Sequence, residues 1–102
     1  MSYRPITVVE TEVFARKASS CMSDEEREAF IASIACNPEA GRIMVGTGGV
    51  RKIRWGDGSR GKRHGVRVIY YYHNTEVPLF LLTVFAKNEQ ANLSQQERNF
   101  MK

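Results

Sequence analysis

Two segments of the chain alternate between apolar and polar positions, and this pattern predicts β-strands over residues 50–55 and 66–73. Residues 78–85 are almost entirely apolar, which is typical of a strand at the centre of a sheet. The β-branched run at residues 6–9 predicts one more strand near the start of the chain. The pattern thus predicts a sheet of four strands.

Helix-start signals lie between and after these strands. Thr11 is a candidate N-cap for a short helix. Ser23 and Glu26 have the spacing of a capping box, and the apolar stripe that follows them ends at Pro38. A second capping box at residues 94–97 predicts a terminal helix. The elements therefore follow the order β-α-α-β-β-β-α.

Length and composition agree with a single folded domain. The chain has 102 residues, of which 42% are hydrophobic and 25% are charged, as in ordinary globular proteins. We therefore expect one α+β domain over residues 1–102, with helices packed on one face of an antiparallel sheet. The sequence has no secretory signal and no apolar stretch long enough to span a membrane, which predicts a cytoplasmic protein with no membrane partner. Cys21 and Cys36 are expected to be free thiols.

Positive charge is concentrated in one part of the chain. Residues 51–67 carry a net charge of +6, whereas the rest of the chain nets −2. A segment that is nearly all of one sign favours a polyanionic partner, and nucleic acid is the first candidate. Residues 56–65 within it are rich in glycine and predict a long basic hairpin loop. The alternative is an ordinary solvated surface.

Strand alternation brings several of these charges to one face of the predicted sheet. Lys52 and Arg54 share a face of their strand, and Arg67 lies on the neighbouring strand. Tyr71 and His73 follow Arg67 on the same side. Cations on adjacent strands suit a phosphodiester, and an aromatic ring beside them can stack on a nucleobase. The candidates for contact with RNA are Arg51, Arg60, Lys62, Arg63, Tyr71 and His73.

Several catalytic motifs are absent from the sequence. There is no P-loop, no GxGxxG, no HExxH and no nucleophile elbow, which argues against nucleotide hydrolysis, dinucleotide redox chemistry, zinc proteolysis and serine esterase chemistry. The chain also lacks histidines and cysteines at the spacing of a zinc site. The sequence therefore predicts no metal site and no cofactor.

Three segments in a fixed order carry a family resemblance. They are residues 46–55, 65–72 and 81–89, with the sequences GTGGVRKIRW, GVRVIYYY and LLTVFAKNE. In this order and at this spacing they resemble the RelE/HigB branch of the RelE/ParE toxin superfamily. The resemblance implies the RelE-like fold and a toxin of a type II toxin–antitoxin pair, with a cognate antitoxin that is expected to be a helix-turn-helix protein. It also implies an endonuclease that cuts mRNA on the ribosome without a metal ion.

The resemblance assigns four catalytic residues. Lys52 and Arg54 correspond to the basic pair of the family's second strand. Arg67 corresponds to its third-strand arginine, and Lys87 to the lysine that follows its last strand. The chain departs from the founding RelE toxins at Asn88, where they carry an arginine, and it lacks the tyrosine of their terminal helix.

The expected reaction is attack of an RNA 2′-hydroxyl on the adjacent phosphate. It requires a base for the hydroxyl proton, an acid for the leaving 5′-oxygen, and cations that offset the charge growing on the phosphorane. Lys52 is one candidate for the base, because the like charges around it favour its neutral form. His73 and His64 are alternatives. The sequence leaves this choice open.

Two other functions compete with RNA cleavage. One is the inhibition of DNA gyrase by ParE toxins, which share the fold. The other is RNA binding without catalysis. The predicted convergence of Lys52, Arg54, Arg67 and Lys87 makes mRNA cleavage the leading hypothesis.

Overall fold

The computed structural model describes residues 5–56 and 65–86. The helices and strands in these ranges are β1 (Val8–Glu10), α1 (Glu12–Cys21), α2 (Asp24–Cys36), β2 (Arg42–Ile43), β3 (Val50–Trp55), β4 (Val66–Tyr71) and β5 (Leu79–Ala86). Residues 57–64 of the predicted basic loop and the predicted terminal helix lie outside the described residues.

Both described helices begin at the predicted caps. The Thr11 hydroxyl oxygen accepts a 3.2 Å hydrogen bond from the Phe14 amide and donates one of 2.7 Å to the Leu81 carbonyl, which ties the start of α1 to β5. Ser23 and Glu26 form the complete capping box at the start of α2, with hydrogen bonds of 2.8 and 3.1 Å. The predicted helix-start signals are confirmed.

The strands form one five-stranded sheet in the order β1-β5-β4-β3-β2. Three of the four strand pairs are antiparallel, but β1 pairs with β5 in parallel, with Val8 opposite Leu79. The sheet is therefore mostly antiparallel, as expected, and the parallel pair at one edge was not predicted. The α+β class is confirmed, since the two helices follow each other directly and strands β2 to β5 come after them. The parallel pair arises because β1 and β5 are joined by a long connection rather than by a hairpin.

The set of strands and several of their boundaries differ from the predictions. The bounds of β1 and β5 each lie one or two residues from the expected ranges 6–9 and 78–85. The two-residue strand β2 was not expected, because so short a segment cannot show a period of two. Strand β4 ends at Tyr71, two residues before the predicted end. Sheet pairing, and not alternation alone, determines where β4 ends, since Tyr71 is the last residue with partners on both β3 and β5.

The main hydrophobic core lies between the helices and one face of the sheet. Phe14 of α1 and Phe30 of α2 are fully buried there, against residues of β4 and β5. Trp55 packs on this core as expected, with its ring edge-to-face to Phe30 at a centroid distance of 5.3 Å. Cys21 and Cys36 form no disulfide. In the described ranges, no helix is long and apolar enough to cross a membrane.

Candidate functional site

The face of the sheet that points away from the helices carries the predicted basic residues. Ile69 belongs to a small cluster distinct from the main core, so alternation along β4 places Arg67 and Tyr71 on this same face. Arg54 pairs directly with Arg67 across β3 and β4, and side chains of directly paired residues share a face. Lys52, two residues before Arg54, lies there as well.

Arg42 adds a fourth cation that the sequence analysis missed. It pairs directly with Lys52 across β2 and β3, and it is exposed. A two-residue strand leaves no pattern from which this placement could be predicted, although the glycine at position 41 marks a chain turn before it. We call Arg42, Lys52, Arg54 and Arg67 the cationic row, and the surface that carries it the cationic face.

The described part of the chain supplies no counter-charge to the cationic row. No carboxylate in that part forms an ion pair with any of its four members, while Glu10 and Arg27 pair elsewhere. Arg67 is half-buried, and its Nη1 atom is buried without a hydrogen-bond partner among the described residues. The buried Thr83 hydroxyl, on the same face, is also unpartnered there. The buried Nε atom of Arg51, on the other face, is unpartnered too, but only the Arg67 donor lies among further cations, where an anion would be favoured.

Two aromatic side chains extend the cationic face beyond the row. Tyr71 is half-buried and packs on the cluster of Val50, Ile69 and Phe85. The rings of Tyr71 and His73 are parallel to within 2°, with centroids 6.4 Å apart. The structure therefore places Tyr71 beside the cationic row and His73 next to Tyr71.

Arg51 lies on the opposite face of the sheet, because it pairs with Tyr70 of the main core. Its Nη1 atom donates hydrogen bonds to the carbonyls of Gly41 at 2.8 Å and Glu39 at 3.3 Å. Arg51 is among the predicted RNA-contacting residues, but the structure does not bring it together with the cationic row. Alternation along β3 is the reason, since neighbouring residues of a strand point to opposite faces.

Tyr70 holds the connection between α2 and β2 from the side of the sheet that faces the main core. Its buried hydroxyl accepts a hydrogen bond from the Gly41 amide and donates one to the Pro38 carbonyl, each at 2.8 Å. Burial raises the pKa of Tyr70, while the Gly41 hydrogen bond and the charge of Arg51 act to lower it. A Cβ at Gly41 would lie 2.7 Å from the Tyr70 hydroxyl and 3.0 Å from the Lys52 carbonyl. Gly41 therefore packs closely between the Tyr70 hydroxyl and the backbone of Lys52.

The remaining predicted site residues lie outside the described residues. They are Arg60, Lys62, Arg63, the candidate base His64, and Lys87. The structure thus brings Lys52, Arg54, Arg67 and Tyr71 to one surface, with His73 beside Tyr71.

Residues 6–102 match the family model for the RelE toxin of the RelE/RelB toxin–antitoxin system. The chain belongs to the RelE toxin family. It is also similar to a solved structure of a double-arginine mutant of the E. coli toxin RelE in the free state, with a TM-score of 0.62 and 17% sequence identity. That match covers 96% of this chain and 94% of the other, and it shows the same fold. The protein is therefore a toxin of a toxin–antitoxin system, and an antitoxin is its partner.

Proposed function

We propose that this toxin is a ribosome-dependent mRNA endonuclease of the cytoplasm, which cleaves without a metal ion. The observation that supports this most is the direct pairing of Arg54 with Arg67 on the cationic face. Like charges placed opposite each other destabilise a sheet, so a phosphate between them would relieve a repulsion built into the fold. A guanidinium also matches the geometry of phosphate oxygens.

The reacting groups of the proposed cleavage come from the RNA and from side chains of the toxin. The 2′-oxygen bonds to the adjacent phosphorus and loses its proton to a base, while the bond from phosphorus to the 5′-oxygen breaks and that oxygen gains a proton from an acid. The products are a 2′,3′-cyclic phosphate and a 5′-hydroxyl. Arg54 and Arg67 would bind the scissile phosphate and offset the charge that grows in the transition state.

We propose Lys52 as the base, and Lys87 as a further member of the catalytic set. Lys52 pairs with Ile69, two residues from Arg67 along β4, so it lies next to the proposed phosphate site. His73 is six residues from Arg67, about 20 Å along an extended chain. This separation favours Lys52 over His73 as the group that accepts the 2′-hydroxyl proton. Arg60, Lys62 and Arg63 are proposed to contact RNA backbone away from the reacting phosphate.

The antitoxin is proposed to be a helix-turn-helix protein that covers or distorts the cationic face. The +6 segment suits an acidic partner, because complementary charge speeds association and excludes wrong partners. Binding there would block access of RNA to the row.

Mapping of mRNA 5′ ends after expression without antitoxin tests the proposal. New ends inside translated regions, together with unchanged gyrase supercoiling activity, are the expected result. Intact mRNA together with inhibited supercoiling would instead identify a ParE-like gyrase inhibitor. Intact mRNA with RNA binding alone would identify a non-catalytic RNA-binding protein.

A further inference from the structure

The cationic face ends in an aromatic pair that the proposed reaction does not use. Tyr71 is the last residue of β4, and its half-buried ring packs near Val50, the residue opposite it on β3. His73 is exposed, and its ring is parallel to that of Tyr71. One ring is thus fixed by packing, and the other extends the same aromatic surface towards solvent.

Gly49 allows the Tyr71 ring to lie where it does. A Cβ at Gly49 would be 3.0 Å from Cε1 of Tyr71, closer than almost all real contacts of that kind. The φ angle of Gly49 is +127°, which disfavours any other residue. The Tyr72 amide also donates a 3.3 Å hydrogen bond to the Gly49 carbonyl, which holds this glycine against the end of β4. The glycine-rich turn therefore preorganises the Tyr71 ring.

The surroundings of Tyr71 suit a base better than a phosphate. The residues packed in its cluster are apolar: Met44, Val50, Ile69, Leu82 and Phe85. Arg54 and Arg67 lie towards the other end of β3 and β4, and Lys52 lies two residues from Val50, the residue opposite Tyr71. An aromatic ring in an apolar setting beside cations is the arrangement with which proteins stack unpaired bases while binding the backbone electrostatically.

We propose that Tyr71 and His73 form a nucleobase-binding subsite for the single-stranded RNA that the cationic row holds. The inference rests on the proposed function in one respect, namely that the row binds an RNA backbone. Tyr71 lies four residues from Arg67 on β4, about 13 Å along the strand. This distance exceeds the spacing between neighbouring phosphates of an RNA strand. The stacked base therefore belongs to a nucleotide beyond the two that flank the scissile phosphate. The subsite thereby favours RNA positions with a strongly stacking base at that offset.

A comparison of two oligomers tests the subsite without any need for cleavage. The probes are an oligoadenylate and a base-free oligo(ribose phosphate) of the same length and charge, with binding followed by fluorescence anisotropy. We expect the toxin to bind the base-bearing strand at least roughly fivefold more tightly. Tyr71→Ala should remove most of this preference and leave the affinity for the base-free strand unchanged, whereas Tyr71→Phe should keep the preference. Circular dichroism of each variant checks that it is folded.

Equal affinity of the unmodified toxin for both oligomers would overturn the proposal. So would a preference for the base-bearing strand that Tyr71→Ala leaves unchanged. Cleavage of mRNA in a translation reaction distinguishes failure of the subsite from failure of the proposed function. If the toxin cleaves mRNA, Tyr71→Ala should redistribute the cleavage positions. If it does not cleave mRNA at all, the proposed function fails, while the oligomer preference still supports the subsite.

Discussion

Arg54 and Arg67 lie directly opposite each other on β3 and β4, with their side chains on the same face of the sheet. The pairing costs stability in the absence of a ligand, since like charges at paired positions repel. No carboxylate of the described residues neutralises either side chain. The pairing of the two strands nonetheless keeps the two residues adjacent. We take this pair as the centre of the proposed phosphate site.

Binding of RNA should weaken steeply as salt rises. Each phosphate that the cationic row neutralises releases condensed counterions, and the slope of log affinity against log salt is about −0.7 per contact for a single strand. Arg54→Ala removes roughly one such contact, so the slope should become less negative by about 0.7. Titration of a labelled single-stranded RNA at several salt concentrations measures the slope for the toxin and for the variant. A slope that does not differ between the toxin and this variant would contradict a phosphate contact at Arg54.

The ends of the cleaved RNA should identify the chemistry. Internal attack by the 2′-hydroxyl predicts a 2′,3′-cyclic phosphate upstream and a 5′-hydroxyl downstream. Because side-chain cations are proposed to offset the developing charge, cleavage should continue in EDTA as long as the ribosomes stay intact. End-group analysis and a chelator series with ribosome integrity monitored test both points. Products with 5′-phosphate ends, or a strict requirement for added Mg²⁺, would contradict the proposed reaction.

Tyr70→Phe should lower the stability of the protein. The change removes the hydroxyl that bonds to both Gly41 and Pro38, and it leaves the buried Gly41 amide without its partner. An unsatisfied buried group costs about 1–3 kcal/mol. Tyr72→Phe is the matched control, because the Tyr72 hydroxyl has no hydrogen bond with the described part of the chain. Urea unfolding of both variants gives the comparison, and equal losses would show that the Tyr70 hydroxyl contributes nothing specific.

The same hydroxyl predicts how stability changes in alkali. Burial raises the pKa of Tyr70 above 10.0, so the native state binds this proton more tightly than the unfolded state does. Its contribution is fully present below the unfolded value and is lost as the pH rises through the folded value. The free energy of unfolding should therefore fall, as the pH rises above about 10, more steeply in the unmodified toxin than in Tyr70→Phe. Parallel curves for the two proteins would contradict the raised pKa.

Several parts of the fold could be predicted from local signals. The capping box at Ser23 and the N-cap at Thr11 depend on only a few neighbouring residues, and both form as expected. The faces of Lys52 and Arg67 follow from the period of two in a strand. These features depend on backbone geometry within single elements, which the order of residues determines directly.

Other parts depend on which elements meet in space. The parallel pairing of β1 with β5 and the position of Arg42 opposite Lys52 follow from sheet order, which no local pattern encodes. The charge of Arg51 predicts contact with RNA, but its side chain binds the carbonyls of Gly41 and Glu39, which lie in the connection between α2 and β2. A charge count along the chain cannot distinguish a structural cation from one that receives a ligand.

The rate of mRNA cleavage in a translation reaction tests the central claim most directly, with five single variants compared with the unmodified toxin. Arg67→Ala and Lys52→Ala remove charges fixed on paired strands, and each should slow cleavage on the order of 10²-fold or more. Arg60→Ala and Lys62→Ala, in the glycine-rich segment, should stay active. Arg16→Ala, exposed on α1, is the control with the same loss of charge. Equal losses of activity in all five variants would contradict the account, because they would show that total charge and not the cationic row governs cleavage.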